Sequence, residues 1–344
     1  MTGNSHALRL RPSDIGEAWQ AFWFRPQPMY TLGLVRMGFG AVAVLWTLWL
    51  LPVLNDLLAP DGAITTPPSI RYTWGVFAVW PTSQALLIGW AVLLMAAIAL
   101  AIGWHSRLAA VLVVILILSF HRRDPYIFNA GDIVMRLEAL FLALSPCGAA
   151  LSLDQRRRAG AFWSAQSRPV WPVRLLQIQM SIIYLASVQT KLSGQTWLQG
   201  TAVSYALRLE DMQRFPPPDW VTTNALIMNV ATWGAIAVEL AVGILIWNQR
   251  FRPWVLAAGV ALHLGIDISI EVGIFSYAMF VLYLAWISPE TVQRLPDTLR
   301  QAAAKSVAVL RRDHPPDSTA VPVRHPIDGH EHRLGEPPAE KSLR

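Results

Sequence analysis

Ser83-Gln-Ala-Leu-Leu-Ile-Gly-Trp-Ala-Val-Leu-Leu-Met-Ala-Ala-Ile-Ala-Leu-Ala-Ile-Gly-Trp104 is almost wholly apolar and carries no charged side chain. A helix needs about 20 such residues to cross the hydrocarbon core of a bilayer. Working outward, similar blocks lie at approximately 29–54, 108–120, 131–147, 173–192, 222–247, 254–270 and 272–288. The reading is an all-α, polytopic integral membrane helix bundle of about eight transmembrane helices. The blocks at 108–120 and 131–147 are short, so tilt or a re-entrant segment leaves the count between six and eight. Glu271–Gly273 leaves room only for a tight turn between the last two. The first block starts too far from the N-terminus, and lacks the cleavage site, to be a signal peptide.

The composition agrees. Of 344 residues, 54% are hydrophobic and 15% charged, mean hydropathy is +0.38, and there are 16 Trp. A soluble domain carries about 25% charged residues. Disordered chains, coiled coils and ordinary nucleic-acid-binding domains are excluded. One cysteine, Cys147, leaves no internal disulfide and no cysteine-based zinc site. No metal is expected. Trp46, Trp80, Trp104, Trp197, Trp220, Trp247 and Trp254 fall near span ends and read as an interfacial belt.

Lys and Arg placement orients the spans. Arg9, Arg11 and Arg25 precede the first span, Arg156, Arg157, Arg158 and Arg168 follow the fourth, and Arg250 and Arg252 follow the sixth. The segment after 290 adds Arg311 and Arg312. Eight spans put all of these on one side, with both termini cytoplasmic. The opposite loops hold Arg71, Arg122, Arg123, Arg208 and Arg214. The net charge of +6 therefore faces anionic lipid, not nucleic acid. The organisation is a cytoplasmic segment at 1–28, a transmembrane domain at 29–290 and a basic cytoplasmic tail at 291–344. That tail should be disordered from about 305, with His314, His325, His330 and His332 solvated.

Charges inside spans are expensive unless paired or wetted, so each marks a candidate site. Arg36, Arg136, Glu138 and Glu239 read first as pairs between helices. Asp132 opens the fourth span, with Arg136 one turn on as its expected partner. His263, Asp267 and Glu271 are spaced as one polar stripe near the outer end of the seventh. Lys191 closes the fifth span. The apolar run Ile182-Ile183-Tyr184-Leu185-Ala186 favours a desolvated, neutral amine there, which is a competent general base; a nearby carboxylate would oppose it. These groups converge on a polar cavity near the outer leaflet. Gly38, Gly40 and Gly243 read as helix-packing positions.

Three segments resemble one family. They are His121-Arg-Arg-Asp-Pro-Tyr-Ile-Phe-Asn129-Ala-Gly-Asp132 with the later Leu-Ser-Pro-Cys147-Gly and Leu151-Ser-Leu-Asp154; Ile183-Tyr-Leu-Ala-Ser-Val-Gln-Thr-Lys191-Leu-Ser-Gly-Gln-Thr-Trp197-Leu-Gln-Gly200; and His263 followed by Val272-Gly-Ile-Phe-Ser-Tyr277. With Arg25-Pro26 and Arg36, they are similar to the HTTM (horizontally transferred transmembrane domain) family over roughly 20–290. That family includes the membrane part of vitamin K-dependent γ-carboxylase. The resemblance implies a carboxylase-like lyase of the bacterial inner membrane, multi-pass in the cell membrane. It would use a reduced lipid quinone of the vitamin K or menaquinone type, or another lipidic substrate. Lys191 and His263 would be catalytic, with Asn129, Asp132, Arg136, Trp197, Asp267, Glu271 and Tyr277 around the substrate.

The sequence departs from the carboxylase in two motifs. Ala130 stands where the carboxylase places a histidine after the asparagine. The spacing from Lys191 to Trp197 is one residue longer. No counterpart of the propeptide-binding domain is seen after the last span. A non-catalytic membrane factor for the maturation, export or immunity of a secreted peptide is therefore the alternative.

Overall fold

The computed structural model describes residues 12–63, 74–124 and 126–313. Arg9, Arg11, Arg71 and the four tail histidines lie outside the described residues. The chain divides into a unit Met1–Leu295 and a unit Pro296–Arg344.

The first unit is a helical bundle. Its main helices are α1 (Pro12–Phe24), α2 (Tyr30–Leu50), α3 (Ser83–Ile102), α4 (Ser106–Arg123), α5 (Ala130–Leu144), α6 (Leu153–Ala159), α7 (Trp171–Leu192), α8 (Ala225–Leu245), α9 (Arg252–Ser269) and α10 (Phe275–Leu284). A helix thus occupies each of the eight apolar blocks. α11 (Pro289–Asp313) extends beyond 305, where composition predicted no regular structure. All-α needs one small amendment: β1 (Pro26–Pro28) pairs antiparallel with β2 (Ser167–Pro169). Prolines suit this ribbon because it has no inner strand that would require their missing N–H.

Three helical stretches are long and apolar enough to cross a membrane: Tyr30–Leu58, Ser83–Ile102 and Ala225–Leu245. The others fall short for visible reasons. α5 has 15 residues and α10 has 10. α4, α7 and α9 carry charges at their ends or along one face.

Local signals fix the helix boundaries. Thr82 accepts a hydrogen bond from the N–H of Ala85 and starts α3, and Gly103, at φ +73°, ends it. Asn129 and Asp132 form a reciprocal capping box that starts α5. Close packing then needs small residues. A Cβ on Gly40 of α2 would stand 2.5 Å from the Ala101 Cα of α3.

Arg36 and Glu138 depart from the expected pairing between helices, whereas Glu239 follows it and meets Lys191. Arg36 is fully buried and donates to the carbonyls of Leu100, Ala101 and Leu151, with no carboxylate partner among the described residues. It thereby satisfies carbonyls that end α3, where a cation is favoured by the helix dipole. Glu138 is fully buried and neither oxygen has a hydrogen-bond partner among the described residues. Trp46 leaves the expected belt: it is 1% exposed, in the core. Trp80, Trp104, Trp220 and Trp254 do stand on the surface.

Candidate functional site

α7 carries two polar clusters on one face. Tyr184 and Lys191 are seven residues apart, two helical turns and roughly 10 Å along the axis. Near the C-terminal end, the Lys191 ammonium donates to Glu239 of α8 at 2.6 and 2.7 Å and to the Ser187 hydroxyl at 2.6 Å. Its nitrogen lies 4.9 Å from the Trp197 ring centroid, within cation–π range. The Lys191 and Glu239 side chains are 17% and 10% exposed. Lys191 is therefore a paired cation at the edge of the bundle. This corrects the expectation of an isolated, desolvated amine: the carboxylate comes from α8, across the helix–helix contact. Gly243, one turn further along α8, allows that contact, since a Cβ there would press on Leu185 at 3.1 Å.

Two turns deeper, the Tyr184 hydroxyl bonds both His263 Nε2 at 2.7 Å and the Tyr283 hydroxyl. His263 is 2% exposed and its Nδ1 has no partner among the described residues. Gly259, one turn before His263 on α9, makes room for this cluster. A Cβ there would lie 2.3 Å from the Tyr283 hydroxyl.

The predicted stripe His263, Asp267, Glu271 divides. Asp267 bonds Arg214 at 3.1 Å and the Tyr277 hydroxyl at 3.3 Å. Glu271 is off the helix, because α9 ends at Ser269 and Ile270 turns extended. Its side chain is exposed, and its backbone N–H joins the Met212 carbonyl at 2.7 Å.

Asp132 and Arg136 also separate. Asp132 Oδ1 accepts from the Trp46 indole and Oδ2 from the Asn129 backbone, each at 2.7 Å. No ion pair joins Asp132 to Arg136 among the described residues; the two oxygens already serve the helix cap and the core indole. Asn129 reaches the Val272 carbonyl at 3.3 Å, and Gly131 packs on Phe275, whose ring lies 5.4 Å from His263. The start of α5 thus adjoins the His263 cluster through the turn before α10.

Sequence reasoning missed Tyr184 and Tyr283 as polar groups and Glu239 as the partner of Lys191. It also missed His121, buried against Trp46 and Phe128, with Nε2 3.8 Å from Asp132. An imidazole therefore stands beside Asp132 although position 130 is alanine. The seven-residue spacing of Tyr184 and Lys191 was the available signal for the first; nothing in sequence joined His121 to Asp132.

Comparison with known proteins bears on this geometry. A family model described as "HTTM domain" matches residues 24–290, which includes every predicted site residue. "Uncharacterized protein YitO" of Bacillus subtilis (strain 168) is 23% identical over 262 residues, covering 69% of this chain and 79% of that protein. No solved structure matches.

Proposed function

The chain belongs to the HTTM domain family, and on that premise we propose that it is a carboxylase-like membrane enzyme whose proton-accepting group is the Lys191–Glu239 pair. It crosses the cell membrane eight times with both termini in the cytoplasm. The Lys191 end of α7 then faces the outer leaflet. The observation that carries the reading is the bidentate pair itself, a 2.6 Å ammonium–carboxylate contact at the bundle edge beside an aromatic ring.

Ammonium and carboxylate at this distance exchange a proton with little movement of heavy atoms. Transfer to Glu239 leaves a neutral Lys191 amine; once the Glu239 O–H turns away from the nitrogen, its lone pair takes the proton of an acidic substrate X–H. The products are the anion X⁻, the Lys191 ammonium and the Glu239 carboxylic acid, so the pair as a whole has gained one proton. Ser187 holds the nitrogen in place throughout.

The donor set fits a reduced lipid quinone. Lys191, Glu239 and Trp197 would hold it, and the neighbouring Leu192 and Leu198 are exposed apolar surface suited to a prenyl chain. When bound, that group supplies an acidic aromatic hydroxyl. His263, two turns below with a free Nδ1, is the second proton-handling group.

The test is extraction and mass spectrometry of lipids from purified wild type, Lys191→Ala and Glu239→Gln, with turnover measured on an added reduced quinone. Retained quinone in wild type and lost turnover in both folded variants is the expected result. Unchanged turnover in Lys191→Ala sinks the assignment.

One observation favours a second reading, a non-catalytic factor for a secreted peptide. Lys191 and Asp132 are both fully engaged by protein groups, as structural residues are. That reading requires a peptide or protein partner to co-purify in mild detergent, and biological activity to survive Lys191→Ala.

A further inference from the structure

At the opposite end of α7 from Lys191 the structure forms a half-open polar cavity of about 440 Å³. Arg174 and Lys191 are 17 residues apart on this helix, roughly 26 Å at 1.5 Å per residue. Arg25, Arg174 and Arg252 line the cavity together with Gln177, Gln249 and Trp286. We infer that this cavity binds a phosphate-bearing anion, held by Arg25, Arg174 and Arg252.

The first argument is uncompensated charge. None of the three arginines is ion-paired among the described residues. Arg252 is the like charge acting on Arg174. The one carboxylate in the wall, Glu290, is held by its own backbone N–H and the Ser288 hydroxyl. Two guanidinium groups lining one cavity, neither ion-paired among the described residues, suit an anion that enters from outside.

The second argument is rigidity. Arg174 is fixed by the Phe22 carbonyl at 3.3 Å, by the Gln177 side chain at 2.8 Å and over the Phe22 ring at 4.7 Å. Gln177, 7% exposed, is anchored in turn on the Ala285 carbonyl. Arg252 is fixed by the Ile246 carbonyl at 3.0 Å and over the Trp286 ring at 5.3 Å. Trp247 bridges the two platforms, 6.1 Å from Phe22 and 4.9 Å from Trp286. The result is a ladder of Arg174, Phe22, Trp247, Trp286 and Arg252. Such a frame holds the cations in place before a ligand arrives.

The third argument is the backbone. α2, α7 and α9 all begin at this wall, and none has a side-chain cap. Their N-terminal dipole ends reinforce a site for negative charge. Phosphate suits the site better than a carboxylate, because it offers enough oxygens for three separate guanidinium donors.

The experiment uses the full-length protein, reconstituted in vesicles of equal phosphatidylglycerol and phosphatidylcholine and released for native mass spectrometry. A parallel arm follows thermal unfolding in detergent with added inorganic phosphate. The variants are Arg174→Gln/Arg252→Gln and, because Arg174 also ties down α1, the separate Arg25→Gln. Preferential retention of phosphatidylglycerol, reduced roughly tenfold in both variants, identifies a lipid headgroup as the source. Stabilisation of the wild type but not the variants by inorganic phosphate identifies a soluble phosphate. Equal retention of both lipids by all proteins, with no phosphate effect, overturns the inference. Neither arm depends on Lys191 or on a quinone.

Discussion

The Lys191 ammonium meets both carboxylate oxygens of Glu239, at 2.6 and 2.7 Å, and so ties the C-terminal end of α7 to the middle of α8. Removing one partner of a mostly buried pair strands the other charge, at about 3 kcal/mol. Glu239→Gln and Lys191→Met should each lose about that much in unfolding free energy. The double variant Lys191→Met/Glu239→Gln should lose less than the sum. A double-mutant cycle on thermal or denaturant unfolding measures this, and simple additivity would show that the pair is not coupled.

The Tyr184 hydroxyl is shared between His263 and Tyr283. Tyr184→Phe keeps the packing volume but leaves two buried polar groups without their partner, at about 1–3 kcal/mol. Gly259→Ala should act on the same cluster by crowding, since the new methyl would lie 2.3 Å from the Tyr283 hydroxyl. If the cluster serves the Lys191 site, both variants lower turnover while Lys191 and Glu239 remain intact. Unfolding midpoints and single-turnover rates separate stability from chemistry.

How much of this was legible in sequence follows from the kind of signal each feature emits. Apolar blocks report helix positions directly, because a backbone withdrawn from water must satisfy its own hydrogen bonds, which a helix does locally. A helix occupies each of the eight blocks, and three helical stretches are long and apolar enough to cross a membrane. The cap at Asn129 and Asp132 is also local, but the spacing of Asp132 and Arg136 equally suggests a charge pair. Asp132 fits both rules, and the cap prevails because Trp46, 86 residues away, takes the remaining oxygen. Spacing alone places Glu271 on a helix face, though α9 ends at Ser269. Partners that come from another helix, such as Glu239 for Lys191 or His121 for Asp132, leave no trace in spacing. They depend on helix packing, which one sequence does not encode in any periodic form.

Arg36 is the largest buried cation among the described residues, and its partners are three backbone carbonyls on two separate segments. Lysine keeps the charge but lacks the planar fork that reaches several acceptors at once. Arg36→Lys should therefore cost about 2 kcal/mol, and Arg36→Met more, because it removes the guanidinium donor from the Leu100, Ala101 and Leu151 carbonyls, of which Leu100 keeps only the Gly103 N–H. Denaturant titration of the three proteins ranks them. Equal stability of wild type and Arg36→Lys would mean the fork geometry is unimportant.

Asp154 gives a pH dependence with a definite sign. Burial pushes its carboxyl up, but hydrogen bonds outweigh it: the Ser106 N–H at 2.8 Å, the Ser106 hydroxyl at 2.7 Å and the His105 N–H at 2.9 Å. The net result lies below the ordinary value of 3.8. A carboxyl that is more acidic when folded stabilises the fold above its unfolded value, and loses that contribution as pH falls through the folded one. The bonds also supply, from α6, the cap that α4 lacks locally, where His105 sits at φ +45° with no capping side chain of its own. Asp154→Asn should cost about 1 kcal/mol near neutral pH, the usual value of a lost cap. Below pH 3.8 the wild type should approach the variant as its own carboxyl protonates. Unfolding midpoints of both proteins from pH 7 down to pH 3 check this: a gap that closes toward acid is the expected result, and one that stays constant shows that the carboxylate charge contributes nothing.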